Sequence, residues 1–151
     1  MKIALGSDHA GYQLKEALKG YLDSLGHETL DLGTHSTESC DYPDFGFAVA
    51  RAVVDGRAER GVIVCGTGMG IAMAANRILG ARAGKPSDLF ETRLMREHND
   101  ANVIAFGARV TAQPLAEAML DLFLATPFAG GRHARRTQKL DAPPAPGGDP
   151  R

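Results

Sequence analysis

Cysteine is scarce in this chain of 151 residues, which carries only Cys40 and Cys65. The two form no C-x-x-C pair and no metal-ligand spacing, so neither a disulfide framework nor a metal site is expected, and a reducing compartment is the default. Charge of one sign is missing too: 17 Lys and Arg face 18 Asp and Glu, a net charge of −1. Such a balance gives the whole molecule no bias toward nucleic acid or an anionic membrane. Any anion must therefore be bound by local clusters. No stretch approaches the roughly 20 apolar residues of a membrane span. The apolar run Ile3-Ala4-Leu5, ahead of Gly6-Ser7-Asp8-His9, is also too short for a signal-peptide core. A cytoplasmic protein is expected.

What is abundant is glycine, 18 of 151 residues, as in chains with many turns or with backbone brought close to a ligand. The length suits one domain, large enough to bury roughly two-thirds of the unfolded surface. Lys2–Gly6 reads as a strand, and Leu14, Leu18, Leu22 and Leu25 mark an amphipathic helix that Gly26 ends. Glu28–Leu32 reads as a second strand. Asp41-Tyr42-Pro43-Asp44 opens a helix through about Asp55, proline suiting a first helical turn. The unbroken apolar run of Gly61–Cys65 fits a parallel strand covered on both faces.

A glycine loop and a small-residue helix over roughly Ile71–Ile78 come next. A brief strand over Gly80–Ala83 is cut short by Gly84-Lys85-Pro86. Ser87 caps a helix through Glu97, Asn102–Phe106 is a strand, and Gln113–Leu124 a helix. The alternation implies an α/β fold, a Rossmann-like three-layer sandwich around a mainly parallel five-stranded sheet. One domain over residues 1–140 is expected, and Asp141–Arg151, with four prolines and two glycines, reads as a disordered tail. In such sheets ligands bind beyond the carboxyl ends of the strands, where Ser7-Asp8-His9, Cys65-Gly66-Thr67 and the residues around Gly107 fall.

Cys65-Gly66-Thr67-Gly68-Met69-Gly70 has the order strand, glycine-rich loop, helix. It is not a phosphate-binding Walker loop, since the Gly-Lys-Ser/Thr ending is missing. As a dinucleotide fingerprint it is imperfect, with Ile71 in place of the third glycine. On the residues alone it is either a tight turn or an anion cradle. Cys65 is likewise either a small buried hydrophobe or a thiolate serving as base or nucleophile. Asp8-His9 either caps a helix or meets substrate. His98 either answers a helix dipole or serves as general acid and base.

Gly130-Gly131-Arg132-His133-Ala134-Arg135-Arg136-Thr137-Gln138-Lys139 carries three arginines, a lysine and a histidine without an acid. It is a solvated basic face or a phosphate clamp, the guanidinium fork matching phosphate oxygens. Arg132 and Arg136 would share a face on a helix. Nucleic acid is set aside, because only Phe128 is near enough to stack a base.

Gly6-Ser7-Asp8-His9-Ala10-Gly11, Asp41-Tyr42-Pro43, the Cys65–Gly70 loop, Ala74-Ala75-Asn76, His98-Asn99-Asp100 and Gly130-Gly131-Arg132-His133 occur in one order. Together they resemble the B-type ribose-5-phosphate isomerases, a family that includes allose- and galactose-6-phosphate isomerases. The resemblance runs from Met1 to about Gln138. It implies a cofactor-free and metal-free proton-transfer isomerase acting on a small phosphorylated sugar. It also implies a homodimer, or a dimer of dimers, with active sites between subunits.

By the same resemblance Cys65 is the carbon base, and Met69 stands where another branch of the family has a glutamate. Thr67 assists proton movement between the oxygens, and the N–H groups of Gly66, Thr67, Gly68, Met69 and Gly70 hold the enediolate. His98 opens the sugar ring with help from Asp8. Tyr42 and Asn99 contact substrate, and His9, Arg109, Arg132 and Arg136 bind phosphate. The departure at Gly84-Lys85-Pro86 predicts a short or irregular strand before the His98 helix. A six-carbon aldose phosphate, a non-catalytic sugar-phosphate sensor and a nucleotide-binding module are the alternatives. The sensor is disfavoured by the joint presence of Cys65, Thr67 and His98.

Overall fold

The computed structural model describes residues 1–144. In chain order the elements are β1 (Lys2–Ser7), α1 (Tyr12–Ser24), β2 (Glu28–Asp31), α2 (Tyr42–Val54), β3 (Arg60–Cys65), α3 (Met69–Ala75), β4 (Ala83–Gly84), α4 (Leu89–Glu97), β5 (Val103–Gly107), α5 (Gln113–Ala125) and α6 (Arg132–Asp141). The strands form one sheet in the order β2-β1-β3-β5-β4, and every pair is parallel. The expected α/β sandwich is what forms, with the sheet wholly rather than mainly parallel.

Strand alternation sorts the core into two layers. Ile3, Leu5, Val62, Val64, Ile104 and Phe106 face Leu14, Leu18 and Leu22 of α1 and Met119, Leu120 and Phe123 of α5. Ala4, Ile63, Cys65, Val103 and Ala105 face Val49, Ala50 and Ala52 of α2 and Ile71, Ala72 and Ala75 of α3. Each large side chain removed from water contributes about 1.5–3 kcal/mol, so both faces hold the sheet. Lys15 lies in the buried stripe of α1 as well, fully enclosed, with Nζ 2.7 Å from both carboxylate oxygens of Asp31 and 2.7 Å from Glu16. Burial acts to raise the Asp31 carboxyl, but Lys15 and the Gly33 N–H outweigh it and hold the group below its ordinary range.

The main departures from expectation fall at α3, α4, β4 and α6, with α3 also ending at Ala75 rather than Ile78. Helix α3 begins at Met69, because Gly68 takes a left-handed φ of +80° and starts the helix directly behind the loop. Asp88, not Ser87, caps α4: its carboxylate accepts the Glu91 N–H at 2.8 Å, while Glu91 reaches back to the N–H and hydroxyl of Ser87. Strand β4 is two residues, Ala83–Gly84, as short as Lys85-Pro86 demanded but placed later than Gly80. The basic run folds as α6 and carries Asp141 in its last turn, so the chain stays ordered past residue 140. The rest of the expected disordered tail, residues 145–151, lies outside the described residues.

Candidate active site

The sheet order reverses direction between β1 and β3, the switch point at which open α/β sheets form a crevice. Asp8 follows β1 there and Cys65 ends β3. Asp8 is buried, and its Oδ1 accepts the Gly11 N–H at 2.9 Å, so it does cap the entry to α1. His9 is half-buried, with Nδ1 3.2 Å from both the carbonyl and the N–H of Cys40, and so ties the β1 loop to the β2 loop.

Cys65 is a free cysteine, 4% exposed, and its Sγ accepts the Gly68 N–H at 3.1 Å. That donor is available because Gly68 is left-handed; a Cβ there would sit 2.9 Å from the backbone of Phe106. Gly70 lets the Tyr42 ring lie on the loop, since a Cβ would come within 2.7 Å of it. The Arg109 guanidinium covers Gly66 from the β5 side, 3.3 Å from where a Cβ would stand. Backbone bonds from Ala108 to Cys65 and from Arg109 to Gly66 fasten the two loops together. Thr67 and Met69 are exposed at the rim, with the Thr67 hydroxyl 3.4 Å from the Met69 N–H. One end of the sheet thus brings together Asp8, His9, Tyr42, Cys65 to Gly70, and Arg109.

The remaining predicted residues lie elsewhere. α4 runs antiparallel to the strands, so His98 and Asn99, at its C-terminal end, precede β5 at the amino edge of the sheet. Arg132 and Arg136 are exposed one turn apart on α6, whose His133 meets His98. The His98 and His133 rings stack with centroids 4.2 Å apart and planes 9° apart. Burial pushes the His133 imidazole below its ordinary value, and the neighbouring His98, Arg132 and Arg136 push the same way. His133 belongs to the Gly130-Gly131-Arg132-His133 motif, and nothing in a single sequence signals its stack on His98.

Cys65 is opposite Gly107, the last residue of β5, whereas His98 comes five residues before its first. Five residues at about 3.3 Å rise place the two ends of β5 about 13 Å apart. Two groups acting on one small sugar must each come within roughly 3 Å of it. A single chain therefore does not bring His98, Asn99 and the α6 arginines to Cys65. A cleft of about 370 Å³ lined by Arg82, Met95, Asn99 and Leu140 belongs to the His98 half. Tyr42, Met69 and Met73, beside the glycine loop, leave 41%, 58% and 66% of their surface in water. Among the described residues no three His, Cys, Asp or Glu side chains gather as metal ligands. No helix among them is long and apolar enough to cross a membrane.

Comparison with known proteins gives this geometry a context. A family profile described as Ribose/Galactose Isomerase matches residues 3–140. Ribose-5-phosphate isomerase B of Escherichia coli is 43% identical over 141 residues, 93% of this chain and 95% of the relative. The structure of Clostridium thermocellum ribose-5-phosphate isomerase B superposes with a TM-score of 0.93 at 48% identity, covering 94% of this chain and 96% of that one. The Mycoplasma genitalium ribose-5-phosphate isomerase B, solved with bound ribulose 5-phosphate, superposes at 0.88 with 35% identity, covering 93% and 94%.

Proposed function

The chain belongs to the ribose/galactose isomerase family, and on that premise we propose that it interconverts ribose 5-phosphate and ribulose 5-phosphate through an enediolate. It is a sugar-phosphate isomerase. The observation that carries the finer reading is Cys65: a free, buried thiol at the switch point, with its sulfur under a backbone N–H of the glycine loop. The N–H on the sulfur fixes its position at the mouth of the loop, where a carbon base would have to stand.

In this reading the Cys65 thiolate takes the proton from C2 of the open-chain aldose and returns it to C1. The Thr67 hydroxyl carries a proton between the C1 and C2 oxygens. The N–H groups of Gly66 to Gly70 hold the negative charge of the enediolate, each such donor lowering the barrier by about 3 kcal/mol. The carbonyl moves from C1 to C2 with no net oxidation, so the balance calls for no redox cofactor. His98, helped by Asp8, opens the furanose ring. Tyr42 and Asn99 orient the sugar, while His9, Arg109, Arg132 and Arg136 grip the phosphate and supply binding energy away from the reacting carbons.

Because the two groups lie at opposite ends of the sheet, each working site needs two copies, His98, Asn99 and the α6 arginines of one meeting Cys65 and Asp8 of the other. The protein is then a homodimer, or a dimer of dimers, and the exposed apolar side chains beside the glycine loop give a second copy a surface to cover. Residues 1–140 act as one isomerase domain, working in the cytoplasm.

The test is turnover of ribose 5-phosphate beside allose 6-phosphate and galactose 6-phosphate, with EDTA present. Efficient conversion of the pentose supports the reading and its independence of metal. Preference for a hexose keeps the mechanism and changes the substrate, an outcome made concrete by the galactose branch of the family. Binding without turnover overturns the catalytic reading in favour of a sensor.

A further inference from the structure

Directly after His98-Asn99 the chain makes an unusual turn. Asp100 has a φ of +45°, the one non-glycine residue with positive φ among the described residues. Side chains tolerate that region poorly, with Asp and Asn among the exceptions, and it persists where surrounding contacts over-determine it. Here they do. The Asp100 N–H closes α4 on the Arg96 carbonyl at 3.1 Å. Its Oδ1 accepts from Arg96 Nη1 at 2.8 Å and its Oδ2 from Arg82 Nη2 at 3.0 Å, while Arg82 Nε binds the Asp100 carbonyl at 3.0 Å.

Both arginines are anchored elsewhere. Arg96, 2% exposed, also donates to the carbonyls of Ala101 and Thr126. Arg82 reaches across to α6, with Nη1 3.0 and 2.9 Å from the two oxygens of Asp141. One carboxylate thus joins the end of α4, the start of β4 and, through Arg82, the helix bearing Arg132, His133 and Arg136. Arg96 needs a partner for its buried charge, yet nothing in that need requires a left-handed backbone two residues beyond His98.

We propose that Asp100, clamped between Arg82 and Arg96, is a positioning residue that sets the aim of His98 and Asn99 for ring opening. The inference rests on the ring-opening role given to His98 above, and it acts through His98 rather than on the sugar. A change of aim of about 1 Å at a reacting group lowers rates by as much as about 100-fold.

The test separates ring opening from carbon proton transfer. Ribose 5-phosphate is a furanose that must open. Ribulose 5-phosphate has its C5 oxygen phosphorylated, cannot close a five-membered ring, and enters as the open chain. Two rates are measured on the dimeric protein: turnover of ribose 5-phosphate, and exchange of solvent deuterium into C1 of ribulose 5-phosphate. The variants are Asp100→Asn, which keeps a side chain tolerant of positive φ, and Arg82→Gln, which leaves Arg96 its Asp100 partner and serves where Asp100→Asn fails to fold. His98→Ala is the reference.

Asp100→Asn and Arg82→Gln are expected to lower turnover of the ring form at least about tenfold while leaving exchange within about twofold, with His98→Ala showing the same split more strongly. Adding Asp100→Asn to His98→Ala should cause no further loss. Equal loss on both assays, or none on either, in the Asp100 and Arg82 variants while His98→Ala splits them, overturns the positioning role alone. A His98→Ala variant that does not split the assays overturns the ring-opening reading beneath it.

Discussion

Mixing two crippled variants gives the sharpest consequence of a site built from both ends of the sheet. Take Cys65→Ala, without the base, and His98→Ala, without the ring opener. Along β5 alone the two positions are separated by about 13 Å, at opposite ends of the sheet, and on the proposed reading the two groups of one chain serve different sites. In a two-fold dimer each site draws Cys65 from one copy and His98 from the other. A mixed dimer of the two variants then has one site with both defects and one with neither. Random exchange makes about half of all dimers mixed, with one of two sites intact, so about one-quarter of wild-type activity should return. The assay is ribose 5-phosphate turnover after co-refolding the variants in equal amounts, each also refolded alone. If both groups came from the same chain, every mixed site would carry a defect. Activity no higher than the average of the parents would then refute the shared site.

Cys65→Ala should lower kcat by at least about 100-fold, the scale of a lost general base, while calorimetry shows phosphorylated ligands binding nearly as before. Arg136→Ala should raise KM for ribose 5-phosphate about 10- to 100-fold with kcat little changed, as befits one charged hydrogen bond to phosphate of about 1.5–3 kcal/mol. An unchanged KM would remove Arg136 from the clamp. His133 makes a prediction about stability. Its folded pKa lies below the ordinary 6.5 because of burial and the cations beside it, so below pH 6.5 the unfolded chain takes up the proton first. Stability should fall as pH drops through that window and level off once the folded form is protonated too. The fall should be shallower in His133→Gln, and identical urea midpoints against pH in the two proteins would contradict it. In Gly70→Ala the new methyl would meet the Tyr42 ring at 2.7 Å. Turnover should drop through a displaced ring or loop, and a Tyr42→Ala partner mutation should recover part of the loss if the clash is the cause.

Much of this fold was legible because its strands are nearly pure signals. Ile3-Ala4-Leu5 and Gly61–Cys65 are apolar on both faces, as a sheet covered on two sides requires, and Leu14, Leu18 and Leu22 keep helical period. Errors fell where neighbouring residues compete for one role. Ser87 and Asp88 are both good caps, and it is the Asp88 carboxylate that accepts the Glu91 N–H. Met69-Gly70 read as loop because glycine is a poor helix former, although Gly68 is the residue that turns the chain. The basic run has no apolar stripe beyond His133, Thr137 and Leu140, so its period does not announce α6, whose His133 packs on His98. The Arg82–Asp100–Arg96 clamp joins residues up to 18 apart through side-chain geometry, which no local pattern encodes. That His98 and Cys65 face opposite ends was implicit in the topology, since a helix feeding a parallel strand ends where that strand begins.

The central claim is that Cys65 moves a proton from C2 to C1 of ribose 5-phosphate. It is tested most directly by supplying the aldose with deuterium at C2 and following the label by NMR as ribulose 5-phosphate forms. The account predicts a primary isotope effect on turnover, label divided between C1 of the product and solvent, and the disappearance of both transfer and turnover in Cys65→Ala. Label lost from C2 at an undiminished rate in Cys65→Ala would contradict it.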